Sequence, residues 1–150
     1  MKLDLACGVH KQPGFHGVDI ASIEGVDQVV DLTVYPWPFE DNSVDEAYCG
    51  HYFEHVPGRG RPRFMDELYR ICKPGASITI VCPHWKSERS IQDFTHEWPP
   101  LCDQSFLYFN KQARDNAGLS HYGIGCDFDL SRSYDGNDDL VIYMKTRKSA

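Results

Sequence analysis

The chain opens with Leu3-Asp4-Leu5-Ala6-Cys7-Gly8, and Gly17-Val18-Asp19-Ile20 follows shortly after it. In each stretch a short apolar run ends at small or acidic residues, a pattern typical of a buried strand that stops at a sheet edge. We interpret them as the first two strands of a doubly wound α/β sheet, whose strand ends bind ligands. Ala6 and Gly8 allow a ligand to approach the backbone closely, and Asp19 offers two oxygens to the hydroxyls of a ribose. These features predict a nucleoside-bearing cofactor.

The spacing of the glycines narrows the choice of cofactor. A dinucleotide site needs Gly-x-Gly-x-x-Gly leading into a helix that faces the pyrophosphate. Here Ala6 stands in place of the first glycine, and the next glycine after Gly8 is Gly14. Only about seven residues separate the two strands, against the dozen or more of a helical crossover. NAD, FAD and ATP would lack their phosphate cradle, so the pattern favours S-adenosylmethionine, which carries no phosphate.

A series of short motifs over residues 2–85 resembles the class I S-adenosylmethionine-dependent methyltransferases. In chain order they are Leu3-Asp4-Leu5-Ala6-Cys7-Gly8 (motif I), Asp19 (the acid of motif II), Val30-Asp31-Leu32, Pro38-Phe39-Glu40-Asp41-Asn42-Ser43-Val44-Asp45, Glu54-His55-Val56 and Arg70-Ile71-Cys72-Lys73-Pro74-Gly75. The chain is most similar to a small subgroup with a short first crossover, in which a loop such as Gln12-Pro13-Gly14 replaces the helix. We therefore expect a loop or a single turn there.

The resemblance implies a Rossmann-like, doubly wound, mostly parallel seven-stranded sheet with a C-terminal antiparallel hairpin, the first crossover helix being reduced or absent. It implies S-adenosylmethionine as the cofactor and S-adenosylhomocysteine as the product. Asp19 would bind the ribose, and Asp31 would bind the adenine amino group. Ala6 departs from the family glycine and adds a methyl group near the methionine end. The cofactor-binding residues implied are Asp4, Ala6, Cys7, Gly8, Asp19, Ile20, Asp31, Leu32 and His51.

Local patterns predict the order of the elements. Strands are expected over about 2–6, 15–20, 27–32, 44–50 and 77–82, and a hairpin is expected from 126–130 and 140–144, turning at 135–138. A helix should begin near Pro62 and end at Lys73-Pro74-Gly75. In the aromatic loop before strand four, Trp37 and Phe39 either wall an adenine pocket or close the sheet edge.

Composition bounds the class of protein. The chain has 150 residues, 41% of them hydrophobic, which suits a single domain over 1–150. It contains no run of about 18 apolar residues, so we expect no membrane span, and the immediate first strand leaves no room for a signal peptide. Six cysteines without a Cys-x-x-Cys pair indicate reduced thiols in a cytoplasmic protein. The net charge of −7 argues against nucleic-acid binding.

Two motifs after strand four suggest other functions. His51-x-x-Glu54-His55 matches an inverted zinc-protease pattern, but it follows a strand and soon meets Pro57-Gly58, so we predict no metal site. Gly58-Arg59-Gly60-Arg61-Pro62-Arg63 contains the core of an AT-hook, which binds the minor groove of A·T-rich DNA. Here the motif joins a strand to a helix in an acidic protein, so we interpret it as a connector.

Residues 86–125 follow no regular period and are rich in aromatic rings. Two interpretations stay open for this insertion. It either supplies the lid and substrate elements that the family often carries here, or it forms a satellite core with a dimer contact. As a lid it would suit a partly apolar or planar acceptor, a small molecule among the candidates.

Methyl transfer from a sulfonium is an in-line displacement, in which the protein aligns the reacting atoms and excludes water. A base is needed only if the acceptor must lose a proton. His51, His84 and His96 are the candidate catalytic residues, with His51 equally a cofactor contact. The sequence thus predicts a methyltransferase (EC 2.1.1.-) of unidentified acceptor. The alternative is a catalytically silent S-adenosylmethionine-binding or scaffold module.

Overall fold

One seven-stranded sheet organises the chain in a computed structural model that describes residues 1–135 and 138–149. Its strand order is β3-β2-β1-β4-β5-β7-β6, with β1 to β5 parallel and β7 antiparallel to both of its neighbours. The strands are β1 (Lys2–Leu5), β2 (His16–Asp19), β3 (Gln28–Val29), β4 (Val44–Gly50), β5 (Cys72–Pro83), β6 (Phe128–Asp135) and β7 (Asp139–Thr146). The predicted mostly parallel sheet with a C-terminal antiparallel hairpin is confirmed.

Several strand boundaries differ from those expected. β3 is shorter than 27–32 because Asp31 turns the chain by accepting a hydrogen bond from the Thr33 amide (2.9 Å). β5 begins before 77 because Cys72 already pairs with Val44 directly after the helix. Both hairpin strands end later than predicted; of the turn predicted over 135–138, residues 136–137 lie outside the described residues.

The core lies on one face of the sheet. Alternate positions of the central strands are buried there, and they pack against helix α1 (Arg61–Ile71) through its apolar stripe of Phe64, Met65, Leu68 and Ile71. The short helix α2 (Lys111–Asn116) follows within the insertion. Trp37, 2% exposed, joins this core and stacks edge-on against Phe64 at 5.1 Å. Of the two readings of the aromatic loop, closing the sheet edge is therefore correct for Trp37.

The first crossover is a loop, as expected. Residues 6–15 are all described, and none of them is helical. The buried carboxylate of Asp4 accepts a hydrogen bond from the Gln12 amide (2.7 Å), which holds the loop over the sheet. Asp27 accepts from Lys11 Nζ (2.8 Å) and from the Gly17 amide (2.7 Å). Polar contacts thus replace the apolar packing that a crossover helix would make.

The insertion 86–125 divides into two parts. Its second part is core, since Phe106 and Phe109 are buried and the Arg114 guanidinium donates to three backbone carbonyls. Its first part exposes large apolar side chains, with Phe94 97% and Trp98 81% exposed. All six cysteines are free thiols. Within the described ranges no helix is both long and apolar enough to cross a bilayer.

Arg61 ties the insertion to the start of α1. Its side chain is 5% exposed and donates to the carbonyl oxygens of Val56 (3.1 Å), Pro99 (2.7 Å) and Glu97 (3.2 Å). An arginine held in this way does not extend towards a DNA groove. Arg61 therefore has a structural role, and the interpretation of the 58–63 segment as a connector stays a prediction for its other residues.

We expect Arg61→Met to lower the free energy of unfolding by about 3 kcal/mol, because three backbone carbonyls lose the charged donor of a buried side chain. Arg59→Met is the matched control, since Arg59 is exposed, and it should change stability by less than about 0.5 kcal/mol. Urea denaturation of both variants measures the difference. Equal losses of stability in the two variants would show that the hydrogen bonds of Arg61 do not stabilise the fold.

The contacts of Asp27 predict an acid dependence of stability. Its hydrogen bonds to Lys11 and to the Gly17 amide hold its pKa below the ordinary value. Below about pH 4 the unfolded chain therefore binds more protons than the folded one, and stability falls as the pH falls. We expect Lys11→Met to raise the pKa of Asp27 and to flatten this dependence, whereas the exposed Lys86→Met should not. Carbon-13 NMR titration of the Asp27 carboxyl is the measurement.

Candidate functional site

The carboxyl ends of the central parallel strands meet at one edge of the sheet, where a groove of about 360 Å³ opens. β1 pairs with β2 and β4, so Leu5 lies beside both Val18 and Cys49. The chain leaves the strands here at Ala6, Asp19 and Gly50. The groove is lined by Ala6, Asp19, Ile20, Val30, Asp31, Leu32, Thr33, Tyr52 and His55.

Asp19 and the turn after β1 are in direct contact. The Gly8 amide donates to Asp19 Oδ2 at 2.9 Å, and the Ala21 amide donates to Oδ1 at 3.0 Å. A carboxylate oxygen accepts more than one hydrogen bond, so Asp19 keeps capacity for a ligand hydroxyl. A Cβ built at Gly8 would meet nothing within 4 Å. The turn is therefore open towards a ligand.

Backbone strain marks both strand ends that face the site. Ala6 has φ 55° and His51, after β4, also has φ 55°. Left-handed backbone is unfavourable for a residue with a Cβ, and such conformations cluster at functional sites. This positive φ explains why the family has glycine at the position of Ala6, since glycine adopts it without steric cost.

The predicted cofactor residues fall into two groups. Ala6, Asp19, Ile20, Asp31 and Leu32 line the groove. The others, which do not line it, are Asp4, Cys7, Gly8 and His51. Hydrogen bonds from the Thr33 side chain and amide lower the pKa of Asp31 and keep it ionised.

Asp4 and Cys7 lie beneath the crossover loop instead. Asp4 is 1% exposed, and burial raises its pKa. Cys7 is also buried, and a Cβ at Gly17 would come within 2.7 Å of its Sγ. Both side chains support the loop from below. Their role in binding the cofactor stays a prediction.

Tyr52 and His55 also line the groove, and neither was predicted as a site residue. Tyr52 follows β4, and burial raises its pKa to about 12. The signal for His55 was present in the Glu54-His55-Val56 motif, whose position after β4 pointed to this edge of the sheet. Because the chain turns back in the 3₁₀ segment Phe53–His55, these residues reach the groove from β4.

A second, more polar cavity of about 220 Å³ adjoins this edge. It is lined by His51, Glu54, His55, Pro83, Arg89, Gln92, Asp93 and His96. His51 Nδ1 lies 3.8 Å from Glu54 Oε1, and its Nε2 lies 3.7 Å from Asp139 Oδ2. Burial raises the pKa of Glu54 to about 7. Of the candidate catalytic histidines, His51 and His96 meet here, whereas His84 is 2% exposed and lines neither cavity.

A family profile described as a methyltransferase domain matches residues 3–80, just over half of the chain. A 2-phytyl-1,4-naphtoquinone methyltransferase of Nostoc punctiforme is 35% identical over 65 residues, covering 43% of this chain and 27% of that protein. The chain thus spans about a quarter of the length of this curated relative.

Solved structures share the fold over nearly the whole chain. The [4+2]-cyclase SpnF superposes with a TM-score of 0.66 at 14% identity, covering 99% of this chain and 74% of that one. A SAM-dependent methyltransferase of Methanosarcina mazei superposes with a TM-score of 0.63 at 18% identity, covering 99% and 92% respectively. At these identities the likeness shows the fold alone.

The positive φ of Ala6 predicts different effects on stability for a smaller and a larger side chain at this position. Ala6→Gly should change the free energy of unfolding by less than about 1 kcal/mol, because relief of about 1–2 kcal/mol of strain is offset by greater freedom of the unfolded chain. Ala6→Val should destabilise by more than about 2 kcal/mol, since a β-branched residue is an outlier at this angle. Thermal and urea unfolding measure both. A tolerated valine would contradict the left-handed assignment.

Proposed function

Because this chain belongs to the methyltransferase domain family and has the fold of S-adenosylmethionine-dependent methyltransferases, we propose that it binds S-adenosylmethionine in the groove at β1–β3 and transfers its methyl group to an acceptor beside the second cavity. The observation that carries the proposal is the contact between the Gly8 amide and the Asp19 carboxylate at the mouth of the groove. It joins an open turn to an acid, the two features needed for the methionine portion and the ribose.

The residues of the groove fit this cofactor. Asp19 would accept hydrogen bonds from the ribose hydroxyls, and Asp31 would accept one from the adenine amino group. Ile20, which is 67% exposed, and the buried Leu32 offer apolar surface to the purine ring. S-adenosylmethionine supplies an electrophilic methyl group on a positively charged sulfur.

The acceptor side is proposed from the first part of the insertion. Ile91, Phe94 and Trp98 in this segment are exposed, and so is Trp85 directly before it. Large exposed apolar side chains in one segment favour an interaction site. Together with the polar cavity they suit a partly apolar acceptor that carries a polar reacting group. Small-molecule acceptors fit this description; a homodimer contact at the same segment stays a prediction.

His51 is the histidine best placed to hold a proton. Its side chain is 44% exposed and lies between the carboxylates of Glu54 and Asp139. A neutral imidazole at this position would accept the proton that a hydroxyl or amine acceptor loses, and the two carboxylates would stabilise the resulting cation. The chain's further contribution is alignment of the acceptor and exclusion of water.

The silent binding module remains the second candidate. Two observations favour it: the strained Ala6 in place of glycine, and the loop over residues 6–15 where the family has a crossover helix. The two candidates share cofactor binding and differ in transfer. Incubation with methyl-labelled cofactor and fractionated cell extract separates them, because label should enter a fraction only if the protein is a transferase.

Replacement of Asp19 tests the cofactor site itself. We expect Asp19→Asn to weaken S-adenosylmethionine and S-adenosylhomocysteine binding by about 10- to 100-fold, since hydrogen bonds to a charged acceptor contribute about 1.5–3 kcal/mol. Glu24→Gln is the matched control because Glu24 is an exposed acid in the same connection. Isothermal titration calorimetry measures both affinities.

Thermal melting accompanies the titration, because Asp19 also accepts from two backbone amides. A folded Asp19→Asn variant with wild-type affinity would refute the proposed ribose contact. Failure of the wild-type protein to bind either ligand would refute the proposed function as a whole.

A further inference from the structure

A cluster of donor side chains joins the end of β4 to the insertion. Glu54 and His55 lie in the 3₁₀ segment Phe53–His55, and His96 comes from the first part of 86–125. One possible ligand atom from each lies within 4.8 Å of the other two. The Glu97 amide donates to the Glu54 carbonyl at 2.8 Å, which fixes the two segments against each other.

One oxygen of the Glu54 carboxylate, Oε1, faces His51 Nδ1 at 3.8 Å, whereas the other, Oε2, is buried without a hydrogen bond in the described part of the chain. The residue itself is 6% exposed. Burial of a carboxylate oxygen is costly unless it is paired or coordinates a metal. Arg61 does not meet this need, because its guanidinium is held by backbone carbonyls. The position is therefore suited to a cation.

Both histidines are oriented to use the same nitrogen. His55 Nδ1 lies 3.2 Å from the Thr95 carbonyl oxygen, and His96 Nδ1 lies 3.2 Å from the Ser90 carbonyl oxygen. A carbonyl only accepts hydrogen bonds, so each Nδ1 carries the proton and each Nε2 keeps its lone pair. Donation from the second ring nitrogen to a carbonyl is the usual support of a metal-binding histidine.

We propose that Glu54, His55 and His96 bind a divalent transition-metal ion, with zinc as the ion that best fits this donor set. Two imidazoles and one carboxylate are the protein ligands of many catalytic zinc sites, which keep further positions open. The Asp93 carboxylate, 3.7 Å from His96 Nε2, adds negative charge beside the cluster. The sequence predicted no metal site, because His51-x-x-Glu54-His55 follows a strand and soon meets Pro57-Gly58. The third proposed ligand, His96, is distant in sequence from that pattern.

The position of the ion indicates which kind of acceptor atom receives the methyl group; this step rests on the proposed function. His55 lines both the cofactor groove and the polar cavity, so an ion bound to it would lie between them. A bound cation lowers the pKa of a coordinated hydroxyl, which favours an oxygen acceptor. The hydroxyl proton would pass to His51; the oxygen lone pair would form the bond to the methyl carbon, and the C–S bond would break with its electron pair returning to sulfur.

Metal binding is measured without cofactor or acceptor. Chelator-treated protein is titrated with zinc chloride by calorimetry, and we expect one equivalent to bind. Glu54→Gln and His96→Ala should each weaken binding at least ten-fold, whereas His121→Ala, an exposed histidine outside the cluster, should not. Cobalt(II) as a second probe should give visible d–d absorption that His96→Ala removes.

Several outcomes would overturn the site. They are no zinc binding by the folded wild-type protein, equal affinity in all variants, or thiolate charge-transfer bands in the cobalt spectrum, which would indicate cysteine ligands. Circular dichroism shows whether each variant is folded, and Glu54→Gln preserves side-chain volume. The cofactor site is tested separately with Asp19→Asn. Zinc binding without S-adenosylmethionine binding would refute the proposed function but not the metal site. S-adenosylmethionine binding without zinc binding would refute the metal site but not the proposed function.

Discussion

The hydrogen bond from the Gly8 amide to the Asp19 carboxylate is the contact on which the site depends. It joins the turn after β1 to the end of β2, and it forms because Ala6 and Gly8 both adopt positive φ (55° and 52°). That conformation reverses the chain immediately after the strand and directs the amide towards the neighbouring strand end. The groove opens beside this contact, so its shape follows from the turn.

The missing crossover helix changes what holds this edge together. A helix would pack apolar side chains on the sheet, whereas here Asp4 holds the Gln12 amide and Asp27 holds Lys11 and the Gly17 amide. Hydrogen bonds in which one partner is charged are shorter and stronger than those between neutral groups. They are also directional, so a short loop can keep the turn in place. At Asp27 these contacts also make stability sensitive to acid, because they hold the pKa of its carboxyl below the ordinary value.

The insertion 86–125 is both core and surface, which explains why its sequence supported two interpretations. Phe106 and Phe109 complete the core, whereas Phe94 and Trp98 remain exposed. Arg61 anchors the junction between the two parts through backbone carbonyls. This anchoring brings His96 to Glu54, and the same junction therefore supports both the proposed acceptor site and the proposed metal site.

The sequence by itself determined most of the strands, the loop-like first crossover, the end of β2 at Asp19 and the hairpin, because these follow from hydrophobic alternation, glycine spacing and turn chemistry within short windows. The arrangement of the strands in one seven-stranded sheet was implied by the resemblance of the motifs to the methyltransferases. The sequence located only part of the groove, since Tyr52 and His55 reach it through a turn that has no periodic signal. Tertiary structure alone decided that Arg61 is buried, that Trp37 belongs to the core, and that His96 meets Glu54. These pairings join residues far apart in the chain, and they are set by how the insertion packs on α1 and the end of β4, which no local pattern encodes.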